Sequence, residues 1–248
     1  MTSYSQATAQ RLPRGWAHLA LQFAIWLGFY AAYQVARGAA DQSVDQAYDN
    51  GRRIIDLQRS LGSMIELPLQ RAVEASSFLI QATSYTYWLS QFAVVGIALL
   101  WVYLRAHDRF FRFRNTLILA NLMGLVGYVA FPTAPPRMFP EAGFTDTLAS
   151  HSTLTHDSSL IQFASNPYAA MPSLHSADAL IVGVVMALAV RRRWAKALWL
   201  SWPLWVWVSV MATGNHFWLD IAAGVAVAAV AAAVVYRGRR PRPAPTTP

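Results

Sequence analysis

With 248 residues, 55% of them hydrophobic and only 13% charged, the chain departs from ordinary soluble domains, in which about a quarter of residues are charged. Its apolar residues fall in long blocks, the signature of membrane-spanning helices. Its net charge of +8 gathers at the ends of those blocks, which fits orientation in a bilayer rather than contact with nucleic acid, and the absence of cysteine removes disulfides and thiolate metal sites and gives no redox inference.

Residues 1–15 are polar and carry Arg11 and Arg14. They are expected to form a cytoplasmic N-terminal segment. Trp16 to Val35 is long enough for one bilayer crossing and longer than the apolar core of a usual signal peptide. His18 and Gln22 within it are expected at an interface or a helix contact. From Asp41 to Ser76 the chain becomes polar and carries both signs of charge. Val44, Tyr48 and Ile55, with Ile54, Leu57 and Leu61, recur at helical spacing, and Gly62 is a natural stop. This predicts an amphipathic helix on the membrane surface or over the bundle. Its arginines (Arg52, Arg53, Arg59 and Arg71) either form a solvated face with Asp49, Asp56 and Glu74 or send one member to a site.

Phe78 to Leu104 is apolar, with its spanning part expected from Tyr87. A basic loop, Arg105 to Arg114, then leads to a third span, Thr116 to Phe131. A long polar loop from Pro132 to Met171 holds His151 and His156, both expected in solvent. The fourth span runs from Ser173 to Val190. Arg191 to Lys196 forms a tight basic loop, and the fifth span, Ala197 to Ala212, contains Pro203 as an expected kink. Phe217 to Tyr236 is the sixth. Residues 237–248 are basic and Pro-rich, and are expected to be disordered. The expected fold is therefore an all-α integral membrane protein: a six-transmembrane-helix bundle over residues 16–236 with an outer-face amphipathic helix.

Charge supports this count. With both termini inside, the inner side carries fourteen basic residues and one acidic residue, Asp108, and the outer side carries six basic residues among most of the acids. Such a bias orients membrane proteins. It puts His175, His216 and Arg137 at the outer ends of their helices, in the plasma membrane if the source is bacterial.

Two polar stretches at these ends carry the chemistry. Asn166 to Asp178 runs from a turn-forming segment into an apolar helix. Pro172 suits a first helical turn, so His175 should lie where free N–H groups and the helix dipole favour an anion. Thr213 to Asp220 contains His216 and Asp220, whose spacing would put both on one helix face. A phosphoryl-transfer site that needs neither metal nor cofactor requires a nucleophile, its orienter, an acid and positive charge. His216 can attack phosphorus, Asp220 can fix its tautomer, and His175 can protonate the leaving group and later deprotonate the acceptor. Arg137 and N–H groups near Ser173 and Leu174 can hold the phosphate. Asn215 joins the expected substrate contacts. Asp178, a carboxylate inside a span, binds an acceptor hydroxyl or pairs with a polar neighbour. A metal site built on two His and two Asp and a transporter using the same charges are the rival classes. A Ser-His-Asp hydrolase lacks its Gly-x-Ser-x-Gly elbow.

Pro172-Ser173-Leu174-His175 resembles the Pro-Ser-Gly-His motif of the type-2 phosphatidic acid phosphatase superfamily, and His216 with Asp220 resembles its His-x-x-x-Asp motif. Phe131 to Arg137 is similar to the branch that includes inositol phosphorylceramide synthases. The resemblance covers roughly residues 16–236. It implies a phosphohistidine at His216, with Asp220 as orienter and His175 as acid/base, in a membrane phosphatase or phosphotransferase acting on a lipid-linked phosphate at the outer leaflet. An inositol-phosphate or other polyol-phosphate transferase with a phospholipid donor is the alternative. The sequence departs from the superfamily pattern in three ways. The lysine of the first motif is missing, Val210 stands where the third motif has arginine, and Leu174 replaces glycine, which is expected to narrow the pocket.

Overall fold

A computed structural model describes residues 12–39, 43–151 and 166–237. The expected segment before Leu12, the expected tail beyond Arg237 and His156 lie outside the described residues, as do the side chains of Arg37 and His151. The described residues are helical almost throughout: α1 (Gly15–Ala39), α2 (Val44–Ser60), α3 (Glu66–Glu74), α4 (Ser77–Arg105), α5 (His107–Ala130), α6 (Thr147–His151), α7 (Leu174–Ala189), α8 (Arg193–Ala212) and α9 (Trp218–Tyr236). A bridge between Thr133 and Ala169 is the one β pairing among them. Four of these helices, α1, α4, α5 and α9, are long and apolar enough to cross a membrane, and the chain is an all-helical membrane protein.

Several boundaries differ from the sequence expectation. The expected basic loop between Arg105 and Arg114 is instead the first turns of α5. Arginine is a good helix former, and two of these arginines, Arg112 and Arg114, find aromatic faces. The Arg114 guanidinium lies over Phe110 and Phe111, and Arg112 lies over Tyr236. In the same region Arg114 Nη1 donates to Gln22 Oε1 at 2.5 Å, and His18 Nδ1 lies 2.8 Å from Tyr103 Oη. His18 and Gln22 are thus helix-contact residues. α4 begins at Ser77, ten residues before its expected spanning part, and passes through a π turn at Ser90–Val94. In the polar segment the expected helix ends at its expected stop, and a second short helix, α3, follows it. α2 stops after Ser60, and Gly62 adopts φ +61°, the left-handed conformation glycine tolerates best.

α7 is the centre of the bundle and packs against α4, α5, α8 and α9. Leu174, Ala177, Val182, Leu117, Phe113 and Tyr103 are fully buried around it. Close approach depends on small residues. A Cβ on Gly224 of α9 would strike the carbonyl oxygen of Ser173. On the other flank, a Cβ on Gly124 of α5 would meet Leu174 Cδ2 at 2.6 Å. Leu174 therefore fills the groove that Gly124 leaves, and it does not line the pocket it was expected to narrow. Gly124→Val should overpack this contact by about 1–3 kcal/mol. Adding Leu174→Gly should recover part of that loss although Leu174→Gly alone is destabilising. Thermal unfolding of the four proteins in detergent measures the coupling. Additive losses would separate the two positions.

Candidate active site

Three stretches converge on one polar pocket, lined among others by Tyr87, Gln91, Arg137, His175, Asn215 and His216. His175 arrives on the first turn of α7. Pro172 is not in that turn as expected. It precedes the N-cap, Ser173, and its peptide bond is cis. The Ser173 hydroxyl accepts from Ser176 N at 3.3 Å, and Ser173 N donates to Asp220 O at 2.9 Å. Ser173 is fully buried; its hydroxyl caps α7 and its N–H ties α7 to α9, and it does not line the pocket.

His216 and Asp220 were expected on one helix face. Instead α9 starts at Trp218 with Phe217 as its N-cap, so His216 sits in the loop before it. The carboxylate reaches back over the helix start. Asp220 Oδ2 accepts from Phe217 N at 2.8 Å and lies 3.4 Å from His216 Nδ1. A carboxylate in the first turn also complements the helix dipole. The His175 and His216 rings face each other with centroids 5.7 Å apart. His216 is 5% exposed and Asp220 is fully buried.

Arg137 is the one arginine or lysine among the described residues lining the pocket. Its segment is held on both sides. Ala134 N donates to Ala47 O on α2, and Thr133 exchanges backbone hydrogen bonds with Tyr168 and Ala170. Arg137 N then donates to Gly214 O at 2.8 Å, while Nη1 donates to Asn215 Oδ1 at 2.5 Å and Nε lies 3.6 Å from Asp146 Oδ2. Gly214 has φ +69°, and a Cβ there would meet Thr145 O at 2.8 Å and Arg137 Cβ at 3.1 Å. Only glycine lets the two loops touch this way. Asn215, an expected substrate contact, thus holds the guanidinium in place. Arg52 and Arg59 stay on the exposed face of α2 beside Asp49 and Asp56.

Asp178 lies one turn beyond His175 and is 3% exposed. Asn121 Nδ2 donates to its Oδ1 at 3.0 Å, and Gln91 also hydrogen-bonds to it. It lines not this pocket but a neighbouring cavity.

Residues outside the expected set complete the site. The Tyr87 ring stacks on His175 with centroids 4.6 Å apart. Glu66, at the start of α3, is fully buried and accepts from Gln58 Nε2 and from Trp218 N, both at 2.7 Å. Gln70 Nε2 donates to Thr145 O at 2.9 Å and lies 3.3 Å from Ala212 O. The inner faces of α2 and α3 therefore bind the loops that carry Arg137 and His216. Burial raises the Glu66 carboxyl above its usual pKa, against the pull of its hydrogen bonds. Their signal was polar residues falling among the apolar ones on the buried face. Glu66→Ala should leave Trp218 N and Gln58 without an acceptor and destabilise the protein by about 1–3 kcal/mol. Glu66→Gln, which keeps an acceptor oxygen, should cost less. Unfolding midpoints test the order.

A sequence profile described as the PAP2 superfamily matches residues 52–234. A curated relative named phosphoinositol dihydroceramide synthase, from Bacteroides thetaiotaomicron, is 26% identical over 157 residues, which cover 58% of this chain and 50% of that protein. The match thus spans about half the length of that relative. No solved structure matches. The profile spans most of the chain and takes in Arg137, His175, His216 and Asp220, so the protein belongs to the PAP2 superfamily.

Proposed function

We propose that the protein is a phosphotransferase that takes a phosphate-bearing group from a lipid donor and passes it to an alcohol at the outer leaflet. The observation that carries this is the pairing of His175 and His216 across a polar pocket that holds Arg137, with Asp220 behind His216. With Nδ1 turned to Asp220, Nε2 of His216 attacks phosphorus. The N–P bond forms, the bond from phosphorus to the leaving oxygen breaks, and His175 gives that oxygen its proton. The acceptor hydroxyl then loses its proton to His175, its oxygen bonds to phosphorus, and the N–P bond breaks. Arg137 holds the equatorial oxygens. The scheme uses neither metal nor cofactor, and a chelator should leave the rate unchanged. The relative named as a synthase favours an alcohol over water as acceptor.

The membrane arrangement belongs to the same proposal. α7 and α8 join the four long apolar helices as spans. α7, with 16 residues, rises about 24 Å. That is short of the hydrocarbon core, but its neighbours shield most of it from lipid. Both termini then lie inside, and α2 and α3 cover the outer end over the site loops. The chain has no cysteine, so single cysteines report sidedness. Glu141→Cys should label from outside, and Arg193→Cys only after permeabilisation. The reverse would remove the outer-leaflet claim.

Activity is tested with lipid phosphates and phospholipids as donors, with and without lipid alcohols or polyols. A new phosphodiester is the expected product with a phospholipid donor. Free phosphate or free headgroup phosphate as the sole product with every acceptor would make the protein a hydrolase, the second reading the superfamily allows.

A further inference from the structure

We infer that the groove between α1, α4 and α5, at the end of the bundle away from the catalytic histidines, seats an anionic diacyl phospholipid that is not a substrate, with its phosphate on Arg114 and Arg14 and one chain along the groove. In the orientation proposed above this end faces the inner leaflet, but the site depends on neither that orientation nor the reaction. Arg114, Gln22 and Tyr103 line the polar end of the groove, and Phe23, Trp26, Gly96, Leu99 and Leu100 line the rest. Tyr87 of α4 stacks on His175, and Tyr103 lies sixteen residues further along the same helix, about 24 Å away. The two sites are therefore separate. From Tyr103 back to Gly96 the groove runs two turns of α4 into the apolar part of the bundle, about 10 Å. Phe23 and Leu100 on its sides are exposed, so the groove faces lipid.

The charge at the polar end selects an anion. Arg114 is half-buried and stands two residues before the apolar run that starts at Thr116, where a span meets the headgroups. Its partners are neutral: Nη1 donates to Gln22 Oε1, and Nε and Nη2 donate to Asn115 Oδ1 at 3.1 and 2.8 Å. One N–H on each terminal nitrogen remains for a ligand. The Arg14 guanidinium lies 5.0 Å from the Phe111 ring, and Arg114 lies 5.3 Å from the same ring, so two like charges meet at one aromatic side chain. Among the described residues neither arginine pairs with a carboxylate. Asp108, the one acid at this end, pairs with Arg109 at 3.7 Å. A phosphate shared by the two guanidiniums offsets their repulsion and accepts charge-assisted hydrogen bonds from both, as anionic headgroups do in basic pockets between membrane helices on the cytoplasmic side. The chain has a seat as well. A Cβ on Gly96 would meet nothing within 4 Å, so α4 leaves open space there. α1 is the least buried of the four long apolar helices, with 17% of its apolar stretch buried against 28% to 39% for the others. A lipid chain in the groove joins α1 to α4 where side chains leave a gap.

The test is thermal unfolding of the full chain in a neutral detergent, titrated with phosphatidylglycerol, with phosphatidylcholine of the same chains, or with inorganic phosphate. Phosphatidylglycerol should raise the midpoint, as any ligand bound only to the folded state does, and the other two should raise it far less. Arg114→Gln keeps a donor for Gln22 but loses the charge. It should raise the lipid concentration at half-maximal shift by at least about tenfold, the scale of one charge-assisted hydrogen bond. Gly96→Leu should also weaken the lipid effect, because its side chain fills the seat of the acyl chain. Without lipid this variant should unfold no earlier than the parent, since the added atoms meet open space and leucine favours a helix over glycine. Arg137→Ala, at the other end of the bundle, should leave the lipid shift in place. Equal shifts with the two lipids, a shift reproduced by inorganic phosphate alone, or half-maximal concentrations unchanged in both Arg114→Gln and Gly96→Leu would overturn the assignment. A shift lost in Arg137→Ala would place the lipid in the catalytic pocket and overturn it too. Nothing in this titration needs turnover, so an inactive protein that still shows the Arg114-dependent shift would contradict the proposed reaction and leave the lipid site standing.

Discussion

His216→Ala should abolish both transfer and hydrolysis, with a loss of at least about 10⁴-fold. Loss of a nucleophile removes the covalent route itself, and comparable removals in enzymes with covalent intermediates reach about 10⁶-fold. The position tolerates no neighbour as a substitute. Asp220 stands 3.4 Å behind Nδ1 of His216, whereas His175, the other histidine in the pocket, has its ring stacked on Tyr87. Asp220→Asn should be milder, because the nucleophile survives while its tautomer and its positive charge in the transition state lose support. Asp220 also accepts from Phe217 N, so the asparagine variant is preferred to alanine, which would loosen the start of α9. His175→Ala should slow both formation and breakdown of the covalent species by about 10²–10⁴-fold, the usual contribution of an acid–base group. Single-turnover kinetics of purified variants separate the two steps. Equal rates in His216→Ala and the parent protein would end the covalent scheme.

Arg137→Ala should lower kcat/KM by about 10²–10³-fold, the scale of one lost transition-state donor, and Arg137→Lys should recover little of it. Charge is not the whole role. The guanidinium is tethered at Nη1 by Asn215 and at Nε by Asp146 while its backbone N–H is fixed on Gly214 O. These contacts aim its remaining N–H groups into the pocket. A lysine has one rotatable ammonium and cannot satisfy Asn215 and Asp146 while also presenting a fork to phosphate oxygens. The exposed arginines of α2 form their own pairs with Asp49 and Asp56, so Arg52→Ala and Arg59→Ala should change the rate by less than about twofold. Near-normal kinetics in Arg137→Ala would return the phosphate contact to that group.

The parts of the site that could be read from sequence are those whose chemistry stands out against apolar surroundings. His175, His216, Asp220 and Arg137 each lie where an apolar block gives way to a polar stretch, and a histidine or arginine there has few structural uses. The finer geometry was not legible because it depends on where helices start. His216 and Asp220 meet across a helix N-terminus rather than along a helix face, and the four-residue spacing fits both. Ser173 N–H goes to Asp220 O, a contact between segments nearly fifty residues apart. Tyr87 and Gln91 sit in the apolar run of α4, where an aromatic ring reads as packing and a π turn leaves no local signature. Glu66 and Gln70 did not stand out in the sequence, because charge and amide groups on an amphipathic segment usually face solvent. Their burial depends on loops that only the folded chain brings near. Arg105 to Arg114 was read as a loop for its charge, whereas its helix propensity proved the better guide.

The most direct measurement of the account is a rapid acid-free quench of the enzyme with a phospholipid donor labelled in the transferred phosphate. A base-stable, acid-labile label should appear on the peptide that contains His216 and disappear when acceptor is added. It should be absent from His216→Ala at any time. A label that persists in His216→Ala, or activity that vanishes with chelator and returns with a divalent metal, would contradict the phosphohistidine mechanism.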